Sequence, residues 1–221
     1  MATEDLKPGA LLDNGRYKVL RRAGGGGFGT VYEVEDTSSP HKAKVAIKKV
    51  RFDDPGFRAR LKSEAKILAE LDHQRIVPFV RTFEESGELH LVMKYVAGSN
   101  LKDAMKDSPG DFTVGKKVEI LISVLKALDY LSTRNPPVVQ RDIKPSNILI
   151  DTNKDAWLAD FGIARAAGDP RLTGAGFPLG SRPFMAPELF SLTQNQLPPP
   201  MSGLSASSAG GCLVRSFART R

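Results

Sequence analysis

The chain has 221 residues, with 32 Lys+Arg against 25 Asp+Glu for a formal charge of +7, and 41% of it is hydrophobic. That length allows one large domain or two small lobes with a core of their own, and the ordinary composition excludes wholesale disorder. No apolar run approaches the ~18 residues of a membrane span, the start MATEDLK lacks the hydrophobic block of a signal peptide, and a lone Cys212 fits a reducing compartment, cytoplasmic or nuclear.

Residues 1–15 read as a flexible lead-in ending in the turn signal Asn14-Gly15. Strand patterns follow at Tyr17/Val19, Val31 to Val34 and Val45 to Ile47, with the cluster Ala23-Gly24-Gly25-Gly26-Gly27-Phe28-Gly29 between the first two. Asp54 is a good N-cap and Pro55 suits the first position of a helix, along which Leu61, Ala65, Leu68 and Leu71 recur at helical spacing. Two more strands, Phe79 to Phe83 and Leu89 to Val96, are joined by a turn at Ser86-Gly87, and a short helix covers Leu101 to Lys106.

The strongest helix starts near Thr113 and ends before Asn135-Pro136-Pro137. Val114, Val118, Leu121, Leu125 and Leu128 make one stripe and Ile120, Val124 and Leu131 another, which predicts burial on more than one face. Short strands follow at Ile148 to Ile150 and Trp157 to Leu158, then a long loop from Asp160 to Pro187. Strands first and helices after predict an α+β arrangement in two lobes. Residues 191–221, with Pro198-Pro199-Pro200 and many serines, read as a disordered tail. That tail carries +3 and the rest +4, with both signs interspersed. This is too mild for a duplex nucleic-acid binder, which remains the remote alternative. The cluster Lys42, Lys44, Lys48, Lys49 and Arg51 reads as a solvated strand edge, apart from Lys48.

The glycine cluster alone is ambiguous. A dinucleotide site needs a helix after the third glycine and a later acid, and a Walker loop needs G-K-[ST]. Here Gly29 leads into strand, which leaves a hairpin whose tip can lie close over phosphates, or merely a flexible tip. Lys48 sits in the apolar strand Val45-Ala46-Ile47-Lys48. At ~100° per residue Glu64 falls inside the apolar arc of its helix, where an unpaired acid would cost ~3–5 kcal/mol. Lys48 on the neighbouring strand is the economical partner. Asp142 and Asn147 in Gln140-Arg141-Asp142-Ile143-Lys144-Pro145-Ser146-Asn147, with Asp160 in Asp160-Phe161-Gly162, supply the oxygen donors that Mg²⁺ prefers beside phosphates.

Taken in this order, these residues resemble the eukaryotic-type protein kinases of the Ser/Thr branch. The likeness runs from about Tyr17 to Ala186-Pro187-Glu188. It implies a strand-rich N-lobe over 16–97, a helical C-lobe over 98–190 and a nucleotide cleft between them. Gly24, Gly26 and Gly29 would cover the phosphates. Val31, Ala46 and Leu149 would sandwich adenine, Met93 would be the gatekeeper, and the backbone of Lys94, Tyr95 and Val96 would meet the ring edge. Lys48, held by Glu64, would bind the α and β phosphates of ATP. Asn147 and Asp160 would hold Mg²⁺, Asp142 would accept the hydroxyl proton, and Lys144 would steady the transferred phosphoryl.

The resemblance also implies a protein substrate with a Ser or Thr acceptor, and neither nucleic acid nor membrane as a partner. Gln140 replaces the family's usual histidine and keeps a hydrogen-bonding amide, an expected tuning of activity. Ser181 keeps the hydroxyl of a frequent threonine, and Arg141 points to control by phosphorylation at Thr173. Few residues follow Glu188, and they do not read as the family's later helices, so an incomplete C-lobe is expected. Uncovering five large apolar residues at ~1.5–3 kcal/mol each would rival a domain's whole stability of ~5–15 kcal/mol. The alternative to an active kinase is therefore a truncated, weakly active nucleotide-binding or regulatory fragment, whose exposed patch would invite a chaperone or regulatory partner.

Overall fold

The computed structural model describes residues 5–26, 29–50, 55–140, 142–160 and 165–166; of these, the side chains of 26, 55–60, 64 and 165–166 are outside the description. The chain divides into two compact units, Met1–Asp72 with Val77–Val96, and His73–Ile76 with Ala97–Arg221.

The first unit is built on an antiparallel six-stranded sheet. Its strands are β1 (Leu11–Leu12), β2 (Tyr17–Gly26), β3 (Gly29–Asp36), β4 (Lys44–Val50), β5 (Phe79–Glu85) and β6 (Glu88–Lys94), in spatial order β1-β2-β3-β4-β6-β5. Helix α1 (Pro55–Ala69) joins β4 to β5 and packs against β5. Its buried residues Leu61, Ala65 and Leu68, with Leu71 beyond its end, follow the predicted spacing. The expected cap Asp54 lies outside the described residues.

Cross-strand partners share a face of a sheet, so the register sorts the side chains. Tyr32, Ile47 and Val92 stand opposite one another and join Leu12, Tyr17, Val19, Val34 and Phe83 in the core. The β5–β6 turn uses Ser86 and Gly87 at φ 51° and 78°, the left-handed pair that suits a two-residue hairpin.

Three expectations are corrected in this unit. Residues 5–15 are no loose lead-in: β1 pairs with β2, Leu12 is buried in the core, and Asp5 pairs with Arg22 at 2.9 Å. Short apolar segments such as Leu11-Leu12 lack the length to declare themselves until a sheet edge accepts them. The last strand stops at Lys94 rather than Val96. Lys49 is not solvated, because β4 lies between β3 and β6; it is 6% exposed and pairs with Glu88 at 2.8 Å.

The second unit contains β7 (Gly98–Asn100), α2 (Leu101–Asp107), a 3₁₀ turn (Pro109–Asp111), α3 (Val114–Ser132), β8 (Val138–Val139), a 3₁₀ turn (Pro145–Asn147), β9 (Ile148–Asp151), β10 (Ala156–Leu158) and β11 (Arg165–Ala166). Strands β10, β9 and β7 form one antiparallel sheet, and β11 pairs with β8. At Gly98, φ is 154° and any Cβ would run into the carbonyl of Ile150, so the β7–β9 approach requires glycine. Asn100 caps α2 and Thr113 caps α3, each side chain accepting a hydrogen bond from the backbone N–H three residues on.

In helix α3 the buried residues are Ile120, Val124, Ala127 and Leu131; of the other predicted stripe, Leu121, Leu125 and Leu128 are half-buried, whereas Val114 is 80% exposed and Val118 47%. Among the described elements, the helix packs against β10 and β8.

Candidate functional site

In the first unit, the register that sends Tyr32 and Ile47 into the core sends the alternate residues to the other face. Val31 stands opposite Lys48, which stands opposite Leu91; Glu33 stands opposite Ala46, which stands opposite Met93. Val31, Ala46, Met93 and Lys48 therefore share one face, three of them half-buried and Lys48 only 7% exposed. Gly24 pairs with Val31 and Gly26 with Gly29 at the head of the hairpin. Gly29 has φ 151°, and a Cβ there would meet the carbonyl of Lys49, whereas Gly24 has open space around it. Lys94, Tyr95 and Val96 continue from β6, with the Lys94 N–H donating to the Pro78 carbonyl at 2.9 Å. The expected Lys48–Glu64 pair falls outside the described residues, since the Glu64 side chain does.

The same face holds a charged cluster that the sequence reading missed. The Glu33 side chain is 4% exposed; its Oε1 meets Lys44 Nζ at 2.6 Å, and its Oε2 meets Arg21 at 2.7 Å. The Tyr95 hydroxyl donates to Oε2 at 2.9 Å and accepts from Arg21 at 3.1 Å. Burial pushes the Glu33 carboxyl up, but hydrogen bonds from Lys44 and Tyr95 and the charge of Arg21 outweigh it and hold it below the ordinary carboxylate range. Burial and the adjacent carboxylate raise the Tyr95 phenol. A signal was present: Glu33 alternates with Val31, and Lys44 is the diagonal neighbour across the β3–β4 ladder.

In the second unit, the turn before β9 gathers the other constellation. Pro145 starts the 3₁₀ turn that ends in Asn147, which is 5% exposed. The Asn147 amide nitrogen donates to the Asp142 carbonyl at 2.8 Å and to its Oδ2 at 3.1 Å. Lys144 Nζ meets the same Oδ2 at 2.6 Å, a charge-assisted bond. The Asn147 carbonyl accepts from the Ala159 N–H at 2.9 Å, which brings the Asp160 backbone alongside. Gln140, 8% exposed, donates through Nε2 to the Asp160 carbonyl at 3.2 Å. Asp160 itself adopts φ 49°, the left-handed region that costs a non-glycine residue ~1–2 kcal/mol.

Thus Asp142, Lys144 and Asn147 form one knot, with Asp160 tied to it through the backbone, and Leu149 lies half-buried on β9. The arrangement holds the Asp142 carboxylate in a fixed orientation beside a cation. Because Asn147 spends its amide nitrogen on Asp142, its side-chain oxygen is the end suited to a cation. That oxygen and the Asp160 carboxylate are both hard donors of the kind Mg²⁺ takes, an ion that completes its shell with water and phosphate. Arg141, Phe161, Gly162, Thr173, Ser181 and Ala186-Pro187-Glu188 lie outside the described residues. A separate cavity of about 270 Å³ between α3 and the β9–β10 turn contains none of these groups. Among the described residues, no helix is long and apolar enough to cross a membrane.

Residues 17–202 match the family model of the protein kinase domain. The chain is 38% identical over 189 residues to the serine/threonine-protein kinase PknH of Mycobacterium bovis, covering 85% of this chain and 31% of the relative. It is 38% identical over 188 residues to PknD of Mycobacterium tuberculosis, covering 85% and 28%. The chain thus spans less than a third of the length of these curated relatives. Being bacterial, they lend no support to the nuclear compartment among the expectations. Among solved structures, a crystal structure of a mutant Mycobacterium tuberculosis PknI kinase domain aligns with TM-score 0.60 at 31% identity, over 73% of this chain and 65% of that one. A double mutant of the same domain aligns with TM-score 0.64 at 29% identity, over 79% and 71%.

Proposed function

The chain belongs to the protein kinase family, and on that premise we propose that it transfers the γ-phosphoryl group of ATP to a serine or threonine hydroxyl of a protein substrate. The observation that carries this reading is the knot of Asp142, Lys144 and Asn147, in which a carboxylate is oriented by an ammonium 2.6 Å away and an amide 3.1 Å away. In the transfer, the acceptor oxygen bonds to the γ-phosphorus as the bond to the bridging oxygen breaks, and ADP leaves with that electron pair. Asp142 accepts the hydroxyl proton. Lys144 offsets negative charge on the transferred group, the electrostatic contribution on which phosphoryl transfer mainly depends.

Lys48 binds the α and β phosphates and Glu64 orients it. Gly24, Gly26 and Gly29 let the hairpin backbone come close to the phosphates. Val31 and Ala46 pack on adenine, with Leu149 in the same role, while Met93 and the backbone of Lys94 to Val96 meet its edge. Asn147 and Asp160 would hold Mg²⁺, which neutralises phosphate charge when bound.

The test is radiolabel transfer from Mg-ATP to a generic protein substrate by the 221-residue chain, beside Lys48→Met and Asp142→Asn. Transfer lost in both variants supports the reading. ATP binding without transfer would reduce it to a nucleotide-binding role, and failure to bind ATP would overturn it.

A further inference from the structure

Glu33 holds a position that a simple surface ion pair would not need. Its side chain is 4% exposed, on the same sheet face as Val31, Ala46, Met93 and Lys48. Both carboxylate oxygens are engaged, Oε1 by Lys44 at 2.6 Å and Oε2 by Arg21 at 2.7 Å and the Tyr95 hydroxyl at 2.9 Å. A carboxylate so fully used is not waiting for a ligand. Arg21 and Lys44 reach the carboxylate from solvent, 59% and 55% exposed, so Glu33 is the buried centre through which the set acts as a unit.

What the four members have in common is their position in the chain. Arg21 on β2 lies three residues before Gly24, Glu33 on β3 two residues after Val31, and Lys44 on β4 two residues before Ala46. Tyr95 lies between Lys94 and Val96. Within the first unit, β2, β4 and the segment after β6, all assigned to the nucleotide's base or phosphate cover, are therefore each tied by one side chain to a single carboxylate on β3. The Lys44 ammonium also stands over the Tyr95 ring at 5.8 Å, a second hold on the same residue.

We propose that Glu33 is a positioning residue for the nucleotide: by clamping Arg21, Lys44 and Tyr95 it sets the backbone of Lys94 to Val96 relative to β2, β3 and β4, and so fixes where adenine is read. The depressed carboxyl of Glu33 accords with an ionised centre at neutral pH. This inference rests on the ATP-site reading above and goes beyond it, since it assigns a determinant of base affinity to a residue that does not touch the base.

The experiment is calorimetric titration of the 221-residue chain with ATP and, separately, with inorganic tripolyphosphate, below the melting temperature of every variant. Glu33→Gln keeps the shape and removes the charge; it should weaken ATP about tenfold, the loss of one charge-assisted bond, and leave tripolyphosphate affinity unchanged. Tyr95→Phe keeps the ring and removes the hydroxyl; it should weaken ATP similarly, and the double variant should be no weaker than either single one. Wild-type ATP affinity in Glu33→Gln would overturn the inference alone, as would equal losses for ATP and tripolyphosphate or fully additive effects. A wild-type chain that binds no ATP would overturn the underlying site reading first.

Discussion

Replacing Gln140 by leucine tests how Asp160 is held. The two side chains have similar volume, and the change removes the Nε2 donor that meets the Asp160 carbonyl at 3.2 Å and approaches the Ala159 carbonyl at 3.5 Å. Asp160 sits at φ 49°, where a non-glycine residue pays ~1–2 kcal/mol. One net hydrogen bond is worth ~0.5–1.5 kcal/mol, and an abandoned buried acceptor costs ~1–3 kcal/mol. The bond and the strain are thus of the same size, so losing the bond shifts the balance against the left-handed conformer. Losing about 1.4 kcal/mol reduces the competent population about tenfold and raises the apparent dissociation constant of anything Asp160 binds by the same factor.

Gln140→Leu should therefore unfold in urea with about 1–2 kcal/mol less stability and need up to about tenfold more Mg²⁺ for half-maximal transfer. Gln140→His retains a ring N–H donor and should stay close to wild type in both. If Gln140→Leu loses the stability but keeps the wild-type Mg²⁺ requirement, Asp160 is not held in its working conformation by this bond.

Two further predictions concern the first unit. Gly29→Ala should destabilise the sheet by at least ~1–3 kcal/mol, because its φ of 151° and the nearby Lys49 carbonyl leave no room for a Cβ. Gly24→Ala, with open space around it, should leave the melting temperature nearly unchanged yet weaken ATP binding; thermal melts with ATP titration separate the two, and unaltered ATP affinity in Gly24→Ala would count against a phosphate-covering role. His90 is 2% exposed, stacks on Phe83 at 4.6 Å, lies next to the Lys49–Glu88 pair, and has Nδ1 near the Glu88 carbonyl while Nε2 has no hydrogen-bond partner among the described residues. Burial lowers its pKa below the ordinary 6.5, so the unfolded chain takes up the proton first and stability falls as pH drops below about 6.5. His90→Phe should flatten that slope in urea unfolding between pH 7.5 and 5.5, and an unchanged slope would mean another group is responsible. The depressed carboxyls of Glu33, Asp36 and Asp151 lose their contribution only at lower pH, as pH falls through their folded values, so the two windows stay apart.

Much was legible along the chain because it depends on neighbours in sequence. The Ser86-Gly87 turn, the start of α1 at Pro55, the Thr113 cap of α3, and the turn carrying Asp142, Lys144 and Asn147 follow from local backbone preference and short-range hydrogen bonding. Tertiary structure alone decided three other matters. Periodicity marked α3 as apolar on two stripes but could not say how deeply each is buried: the stripe of Ile120, Val124 and Leu131 is buried, and Leu121, Leu125 and Leu128 are half-buried. A short pair such as Leu11-Leu12 becomes a strand only when the edge of β2 is there to accept it. Lys49 read as a solvated charge and Glu33 drew no reading, yet a central strand and the β2–β3–β4 register bury them against Glu88 in one case and Arg21, Lys44 and Tyr95 in the other. The energy of a buried charge depends on partners distant in sequence, and those exist only once the strands have aligned.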